Sequence, residues 1–437
     1  YKVKPMFLRD SLSSLLISLV FCTSLFAQLP KVNKDRLEKN ILSLATHGQQ
    51  ENGETNRVAF SDADISGRTF VMNLMKEAGL EVSVDFAGNI LGKRKGTNAN
   101  LKPLAFGSHI DMVPNGGNYD GCVGSMAAIE VVRTLEENNI TTQHPLELII
   151  FSNEEGGVMG SRAIAGELSA DALKVKNSTG YTMGEGMMRI GGDTTKLSDV
   201  KRPIGSLAAF LELHIEQGAI LDEENLDIGI VDGIVGLNWW DVEITGFANH
   251  AGTTPMNRRQ DALLAAGIFI QAVNEVINSY QGRQVGTVGR ITAEPGAPNV
   301  IPGKVILSLE IRDLSAEKIV MLYDKIVEKA LKIEEETGTK FNFIALDTTG
   351  KPALMDPEIK AEIAKAAQAL ELSYTNMPSG AGHDAQDMAL IAPAGMIFVP
   401  SVDGISHSPK EFTSAADMAN GANVLLHSLL SLDKKLH

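Results

Sequence analysis

Continuous apolar runs of strand length alternate with stretches of helical periodicity in the first half of the chain. The runs at 104–107 and 146–151 predict buried strands, and the stretches at 41–44, 66–78 and 122–137 predict helices. Strands that alternate with helices are typical of an α/β fold with a doubly wound, mostly parallel sheet. In such a sheet the active site lies beyond the carboxyl ends of the strands.

A different pattern begins at about residue 218. Alternating positions predict strands at 238–245, 285–293 and 304–312, and longer periodic stretches predict helices at 261–279 and 316–335. Two helices on an antiparallel sheet indicate a separate α+β domain.

The first pattern resumes after about residue 339, with a helix at 357–370, a strand at 395–399 and a helix at 415–430. The second domain is therefore predicted to be inserted into the first. We expect a catalytic domain in two parts, at 33–217 and 337–437, and an inserted domain at 218–336.

The N-terminal residues have the composition of a secretory signal peptide. Arg9 is followed by the apolar run 15–22 and then by a small residue, Ala27. We therefore predict a signal peptide at 1–27 and a periplasmic or secreted protein. A lipid anchor at Cys22 and a buried N-terminal helix are the alternative interpretations.

The composition is that of a globular protein and argues against two classes of partner. The 437 residues are 44% hydrophobic and 21% charged, with a formal net charge of −15. This negative charge argues against nucleic acid and against an anionic membrane surface as partners. Cleavage after Ala27 would leave Cys122 as the single cysteine, so no intramolecular disulfide is expected.

Imidazole and carboxylate side chains recur where the predicted buried strands end. They are His109, Asp111, Asp120, Glu154, Glu155, His214 and His407. These two groups are the usual non-thiolate ligands of zinc and related divalent ions. A single histidine at a strand end is more often a structural hydrogen-bonding group, but the joint occurrence of all these residues favours a two-metal hydrolase.

Within this set we predict different roles. Asp120 is the expected bridging ligand, since one carboxylate can bind two metal ions. Asp111 is expected to accept the ring N–H of His109. Adjacent residues leaving a strand point in different directions, so we predict Glu154 as the general base and Glu155 as a metal ligand. The alternative for this acidic pair is an exposed turn.

Three residues of the inserted domain carry further chemistry. His250 lies in a turn rich in Gly, Thr and Pro, Asn299 lies in the segment 296–302, and Arg312 ends a predicted strand. An arginine at a strand end usually forms a surface ion pair. Its planar guanidinium is also the preferred partner of a substrate carboxylate.

Six segments carry most of these residues, and they are GSHIDMVPNGGNYDG at 107–121, NEEG at 153–156, LHIEQG at 213–218, NHAGTTPM at 249–256, GAGHDA at 380–385 and SHSP at 406–409. In this order they resemble the hydantoinase/carbamoylase group of metal-dependent amidases. That group contains N-carbamoyl-L-amino acid hydrolases, β-ureidopropionases and allantoate amidohydrolases, within the superfamily of aminoacylases and carboxypeptidase G. The resemblance extends over nearly the whole chain from about Asn33.

The resemblance implies two metal sites that share Asp120. It assigns one ion to His109, Asp120 and His214, the other to Asp120, Glu155 and His407, and the role of base to Glu154. A histidine at position 214, where the related peptidases carry a carboxylate, favours the carbamoylase branch.

The resemblance also implies how substrate is held. It assigns substrate contacts to Gln217, His250, Asn299, Arg312 and His383. The inserted domain would act as a lid and as a dimerisation unit, with His250 and Asn299 reaching the site of the partner subunit. Ser408 departs from the group, which often has Asn or another polar residue there. The signal peptide is a larger departure, and it argues against a housekeeping role in pyrimidine or purine metabolism.

Together these expectations describe a dinuclear metal-dependent amidohydrolase, active as a homodimer, that cleaves the ureido or amide C–N bond of a small carboxylate. An N-carbamoyl-L-amino acid is the expected substrate, and two divalent ions per chain are the expected cofactors, with zinc favoured over manganese, cobalt or nickel. The enzyme alternatives are an allantoate or β-ureidopropionate amidohydrolase and an aminoacylase or dipeptidase with the same metals. The non-enzyme alternative is an inactive metal-binding protein, against which the presence of Glu154 argues.

Overall fold

A computed structural model describes residue 1 and residues 30–51, 53–346 and 350–436 of the chain. Apart from residue 1, the predicted signal peptide lies outside the described residues. The strands are β1 Glu81–Val84, β2 Ile90–Arg94, β3 Leu104–His109, β4 Leu146–Phe151, β5 Ala209–Ile215, β6 Ile228–Ile234, β7 Gly236–Thr245, β8 Asn249–His250, β9 Val285–Thr287, β10 Ile291–Glu294, β11 Val300–Ile301, β12 Lys304–Asp313, β13 Lys340–Ala345, β14 Ala353–Leu354, β15 Tyr374–Ser379 and β16 Ala394–Val399.

The α-helices are α1 Lys34–Ala45, α2 Asp62–Glu77, α3 Cys122–Glu137, α4 Met159–Ala165, α5 Met183–Arg189, α6 Ile220–Glu223, α7 Ala262–Asn278, α8 Ala316–Thr337, α9 Pro357–Ala369, α10 Asp384–Met388 and α11 Ala415–Lys435. Short 3₁₀ helices occur at Ala172–Lys174, Thr194–Asp199, Met256–Arg258 and Val402–Gly404. Side-chain caps begin many of the helices, as where Asp356 accepts two main-chain N–H groups ahead of Pro357, the first residue of α9.

The larger sheet has nine strands within the described residues, in the order β1-β2-β4-β3-β5-β16-β6-β14, with β15 also paired to β6. Its central strands β4, β3, β5 and β16 run parallel to one another, and antiparallel strands flank them. Every residue of these four strands is buried. Such continuous apolar runs are expected where helices cover both faces of a parallel sheet.

Helices do cover both faces of this sheet. On one face α1, α2, α3, α9 and α11 contribute side chains such as Leu37 and Leu425 to a single apolar core. On the other face α4, α5 and α10 form a second core that includes Met187 and Met388. The predicted α/β class with a doubly wound, mostly parallel sheet is therefore confirmed.

The inserted domain has its own antiparallel sheet, in the order β10-β12-β7-β13, with β9 also paired to β12. Helices α7 and α8 pack on one face of it around Phe269 and Leu322. Along β12 buried and half-buried residues alternate, as expected for a sheet covered on one face only. The predicted α+β unit of two helices on an antiparallel sheet is therefore confirmed.

The observed sheets divide the chain later than the predicted boundaries of 218 and 336. Strand β6 follows residue 218 but pairs with β16 and β15 in the larger sheet, and β13 follows residue 336 but pairs with β7 in the smaller one. The single strand predicted at 285–293 is interrupted, because β9 and β10 both pair with β12 in different registers.

Among the described residues, no helix combines the length and the apolar character that a membrane crossing requires.

Candidate metal centre

The predicted metal ligands come together at the carboxyl ends of the central parallel strands. His109 is the last residue of β3, and His214 is the penultimate residue of β5. Glu155 follows β4 closely, and Asp120 lies in the turn that leads into α3. His407 comes from the loop between β16 and α11. Five residues that are far apart in sequence thus meet where a doubly wound sheet places its active site.

One group of ligand atoms consists of His109, Asp120 and His214, all of them buried. The Nε2 atoms of His109 and His214 lie 3.6 Å and 3.0 Å from Oδ1 of Asp120. In each ring Nδ1 lies beside a main-chain carbonyl oxygen, that of Asp111 at 3.0 Å and that of Ile215 at 2.8 Å. A proton on Nδ1 satisfies both carbonyls and leaves both Nε2 atoms unprotonated, as the binding of a metal ion requires.

A second group consists of Asp120, Glu155 and His407. Nε2 of His407 lies 3.1 Å from Oδ2 of Asp120 and 3.6 Å from Oε2 of Glu155. Asp120 therefore turns one oxygen toward each group. This is the arrangement that a carboxylate bridging two metal ions requires.

Unsatisfied polar atoms indicate that these groups suit cations. Among the described residues, Nε2 of His109 and Oε1 of Glu155 are buried without a hydrogen-bond partner. A buried polar atom left without a partner is costly, and a bound cation would remove that cost at both positions. The imidazole and carboxylate donors match the preferences of zinc and related divalent ions.

The ionisable groups of the candidate centre shift the pKa values of one another. Burial favours the neutral form of Asp120, but its contacts with His109, His214 and His407 outweigh burial and hold the pKa of this carboxyl well below its usual range. The Asp120 carboxylate in turn raises the pKa of His407 to about 9. Burial raises the pKa of Glu155 to about 7, and the nearby Asp120 adds to this rise. The centre therefore concentrates negative charge that divalent cations can neutralise.

Glu154 lies beside the ligand groups but belongs to neither of them. Its side chain is buried, and Oε2 lies 3.7 Å from Nε2 of His109. Burial raises the pKa of this carboxyl well above its usual value; His109 opposes the rise and Glu155 adds to it. The acidic pair Glu154–Glu155 does not form the exposed turn that was the alternative interpretation, since Glu154 is only 8% exposed.

Asp111 makes a different contact from the one expected of it. Its carboxylate oxygen lies 3.7 Å from Nδ1 of His109, while its main-chain carbonyl is the closer partner. The carboxylate instead accepts the main-chain N–H groups of Glu154 and Glu155, each at 3.2 Å. The prediction that the carboxylate accepts the ring N–H is therefore corrected, because the loop after β4 supplies it with two donors. Asp111 holds that loop against the end of β3.

Gly121 allows Asp120 and the two buried histidines to approach one another. Its φ of 62° lies in the left-handed region, and its N–H points to Nε2 of His214 at 3.1 Å. A Cβ atom at this position would overlap the imidazole of His109. Glycine is the residue that fits both the backbone conformation and the space available here.

Two of the predicted substrate-binding residues reach the metal centre. The side-chain amide of Gln217 donates to Oδ2 of Asp120 at 2.7 Å. His383 packs edge-on against His214, with ring centroids 4.4 Å apart, and its Nε2 contacts Oγ of Ser379 at 2.9 Å. Burial and the neighbouring His214 hold the pKa of His383 well below its usual value, so this imidazole is neutral.

Arg312 lies at the junction of the two domains. Its Nε and Nη2 atoms donate to the two carboxylate oxygens of Glu310 at 2.8 Å and 3.1 Å. Its Nη1 donates to the main-chain carbonyl of Gly380 at 2.6 Å. Three of the five guanidinium N–H groups are thus engaged in these contacts. The structure contains the ion pair that was the alternative interpretation, but the pair directs the arginine toward the catalytic domain.

His250 and Asn299 lie together on the surface of the inserted domain. Strand β8, which contains His250, pairs with β11, and the N–H of Ala251 donates to the carbonyl of Asn299 at 3.0 Å. Both side chains are exposed, and Nδ1 of His250 accepts the N–H groups of Gly252 and Thr253. Among the described residues, no hydrogen bond joins either residue to a predicted metal ligand.

Two residues that support the candidate centre, Glu411 and Ser401, were not predicted from the sequence. Glu411 accepts hydrogen bonds from the loops that carry Asp120 and His407, and Ser401 accepts the N–H of Gln217 at 3.0 Å. Glu411 follows His407 by four positions in a turn that contains proline, which is the only local signal for it. Its contact with Asp120 joins residues 291 positions apart, and no periodic pattern reports such a contact.

Known proteins resemble this chain over most of its length. The model of Peptidase family M20/M25/M40 matches residues 105–431. The N-carbamoyl-L-amino acid amidohydrolase of Geobacillus stearothermophilus is 40% identical over 411 residues, which are 92% of this chain and 99% of that protein. The ureidoglycolate hydrolase of Arabidopsis thaliana is 40% identical over 416 residues, 92% of this chain and 87% of that protein. A solved amidase of the hydantoinase/carbamoylase family from Burkholderia multivorans is 36% identical, with a TM-score of 0.85 over 92% of this chain and 98% of its own.

Proposed function

The chain belongs to Peptidase family M20/M25/M40, and we propose that it is a dinuclear metal-dependent amidohydrolase that releases the carbamoyl group from N-carbamoyl-L-amino acids. The observation that carries the proposal is the position of Asp120. One of its oxygens faces His109 and His214, and the other faces His407. The Nε2 atom of each of the three histidines lies within 3.6 Å of this buried carboxylate, as is expected around a carboxylate that bridges two metal ions.

Two divalent ions would be held at this centre, one by His109, Asp120 and His214 and the other by Asp120, Glu155 and His407. When bound, the ions polarise the scissile carbonyl and neutralise the charge that develops on its oxygen. Zinc is the proposed ion, because nitrogen and oxygen donors of this kind suit it. Manganese, cobalt and nickel accept the same donors, so the experiment below includes all four.

Glu154 is the proposed general base. It is a buried carboxylate next to both ligand groups, yet it belongs to neither, so it is free to move a proton. Its carboxylate would take a proton from the attacking water and pass it to the leaving nitrogen. Asp111 holds the main chain at Glu154 and so fixes the direction of this carboxylate.

The substrate would be held from two sides. His383 is neutral and its Nδ1 has no hydrogen-bond partner among the described residues, so it is available to a polar group of the substrate. Gln217 offers the buried Oε1 of its amide, which is also without a partner in the described part of the chain. Arg312 retains two N–H groups with which it would hold the substrate carboxylate.

The relatives support a ureido substrate. N-carbamoyl amino acids and ureidoglycolate both carry a ureido group on the carbon next to a carboxylate, and proteins named for each are 40% identical to this chain. Ureidoglycolate is therefore the second candidate substrate. The experiment that tests the proposal compares the hydrolysis of several compounds by the purified protein, supplied in turn with Zn²⁺, Mn²⁺, Co²⁺ or Ni²⁺. Allantoate, β-ureidopropionate, N-acetyl amino acids and dipeptides are the comparison compounds. N-carbamoyl-L-amino acids should be hydrolysed fastest. Faster cleavage of N-acetyl amino acids or dipeptides would contradict the proposal.

The inserted domain is proposed to form a homodimer through helix α7. Four apolar side chains of this helix are exposed in the single chain, namely Leu263, Leu264, Ile268 and Ile270. Large apolar side chains that are exposed close together on one helix are typical of an interaction surface. In the dimer His250 and Asn299 would complete the site of the partner subunit.

Two experiments test the dimer. Light scattering of Leu264→Asp should report a monomer. A mixture of the inactive His250→Ala and Glu154→Gln proteins should regain part of the activity, because one site of each heterodimer has both an intact Glu154 and an intact His250.

Export to the periplasm or beyond the cell is also proposed. It is supported by the basic start, the apolar run 15–22 and the small residue Ala27 of the sequence. Fractionation of cells that produce the full chain, with N-terminal sequencing of the product, tests this proposal. A product that begins at Gln28 outside the cytoplasm agrees with it, whereas an intact cytoplasmic chain contradicts it.

A further inference from the structure

Glu411 is a buried carboxylate placed between the two loops that supply Asp120 and His407. One of its oxygens, Oε1, accepts the main-chain N–H groups of Tyr119 and Asp120 at 2.9 Å and 3.0 Å. Glu411 is only 4% exposed, so these hydrogen bonds form away from water. Hydrogen bonds to a charged acceptor are stronger than those between neutral groups.

The second oxygen of the same carboxylate holds the other loop. Oε2 of Glu411 accepts the hydroxyl of Ser406 at 2.9 Å and the main-chain N–H of His407 at 3.2 Å. The hydroxyl of Ser406 also lies 3.3 Å from Oδ2 of Asp120. One side chain thus fixes the distance between two proposed metal ligands.

The turn before Asp120 is built to admit this side chain. A Cβ atom at Gly117 would overlap the carboxylate and the Cβ of Glu411. Gly117 therefore supplies the space in which the Glu411 side chain lies beneath the main chain of 117–120. Glycine here is explained by the close approach of Glu411 and not by its own backbone angles.

The two proposed metal sites differ in how firmly their histidines are otherwise held. His109 and His214 lie within strands of the central sheet and are fully buried. His407 lies in a loop, its side chain is 49% exposed, and its φ of 52° lies in the left-handed region. A residue in that conformation persists only when its surroundings hold it there. The main-chain hydrogen bond to Glu411 provides such support.

We propose that Glu411 is a positioning residue that sets the separation of Asp120 and His407 and thereby the affinity of the site formed by Asp120, Glu155 and His407. The inference rests on the proposed two-metal function. The site formed by His109, Asp120 and His214 depends less on Glu411, because two of its three ligands are held by the central sheet. Loss of Glu411 should therefore separate the two binding steps.

Zinc titration of the metal-free protein by calorimetry tests this inference without any measurement of activity. Wild type should bind two ions. Glu411→Ala should bind the first ion with nearly unchanged affinity and the second roughly 10–100-fold more weakly, the range usual for residues that orient metal ligands. Glu411→Gln should weaken the second ion less. The amide oxygen can still accept the N–H groups of Tyr119 and Asp120, but the amide NH₂ group cannot accept the N–H of His407. Gly117→Ala should reproduce the loss from the opposite loop, since it displaces the Glu411 side chain.

Asp433 offers a matched control. Its buried carboxylate accepts the N–H groups of Gln143 and His144 at 3.0 Å and 2.8 Å, near the amino ends of the central strands. Asp433→Asn should lower the thermal unfolding temperature and leave both zinc affinities unchanged. The inference is overturned if Glu411→Ala and Glu411→Gln bind the second ion as wild type does, or if Glu411→Ala weakens both ions equally. If the wild-type protein binds a single ion, the two-metal function itself is overturned. If it binds two ions and the Glu411 variants bind both with wild-type affinity, this inference alone is overturned.

Discussion

Arg312 of the inserted domain donates a hydrogen bond from Nη1 to the main-chain carbonyl of Gly380 in the catalytic domain, at 2.6 Å. Gly380 lies three residues before His383, whose ring packs against the proposed metal ligand His214. Glu310 holds the other side of the guanidinium and thereby directs it across the junction. The two domains are thus joined by the side chain for which we propose a contact with the substrate carboxylate.

Replacement of Arg312 should distinguish this role from a purely structural one. Arg312→Ala is expected to lower kcat/KM for N-carbamoyl amino acids by about 10²-fold or more, because a charge-assisted contact to the substrate carboxylate is lost. Arg312→Lys should recover only part of this loss, since an ammonium lacks the planar fork. The measurement is kcat/KM for a substrate and for its amide analogue without the carboxylate. Equal losses for both compounds would show that Arg312 is structural.

Removal of the proposed base should separate chemistry from metal binding. Glu154→Gln is expected to reduce turnover by roughly 10²–10⁴-fold or more, since it removes proton transfer but no metal ligand. Metal analysis of the same protein should still find two ions per chain. Glu155→Gln is the comparison variant and should lose metal. Full activity in Glu154→Gln would exclude Glu154 as the base.

The bridging carboxylate and the terminal histidines should differ in their effect on metal content. Asp120→Ala is expected to lose both ions, because its two oxygens face the two ligand groups. His214→Ala and His407→Ala should each weaken mainly one ion. Elemental analysis after dialysis measures the outcome. A full metal complement in Asp120→Ala would contradict a shared ligand.

Gly121 should be intolerant of any side chain. Gly121→Ala places a methyl group against the imidazole of His109 and forces a non-glycine residue into left-handed backbone, which costs on the order of 1–2 kcal/mol by itself. We expect lower thermal stability and impaired zinc binding. Gly180→Ala is the matched control, since its φ is 86° but nothing lies within 4 Å of the added methyl group. Gly180→Ala should lower thermal stability without a change in zinc binding. Normal zinc binding by Gly121→Ala would contradict the prediction, because it would show that the centre can accept the added methyl group.

The sequence predicts that the candidate ligands lie close together where they follow or end central strands, and the structure places them so. His109, Glu154 and His214 follow or end apolar runs, and parallel strands bring their carboxyl ends to one edge of the sheet. The strand predicted at 104–107 extends to His109, so this ligand is held by the sheet itself.

Other parts of the fold and of the candidate site depend on contacts between distant residues, which no local sequence pattern predicts. Strand β13 pairs with β7 of the inserted sheet, although it follows the predicted end of the inserted domain at residue 336. Asp111 was expected to bind the ring of His109, but two N–H groups from the loop after β4 compete for its carboxylate. Glu411 was missed because its partners lie in another loop, far away in sequence.

The most direct test of the central claim is the release of ammonia from an N-carbamoyl-L-amino acid by the chelator-treated protein before and after zinc, manganese, cobalt or nickel is restored. The account predicts negligible release without metal, and recovery of turnover when up to two ions per chain have been added. It also predicts that the corresponding N-acetyl amino acid is cleaved far more slowly under the same conditions. Undiminished release from the metal-free protein, or no release with any of the four ions while N-acetyl amino acids are cleaved, would contradict it.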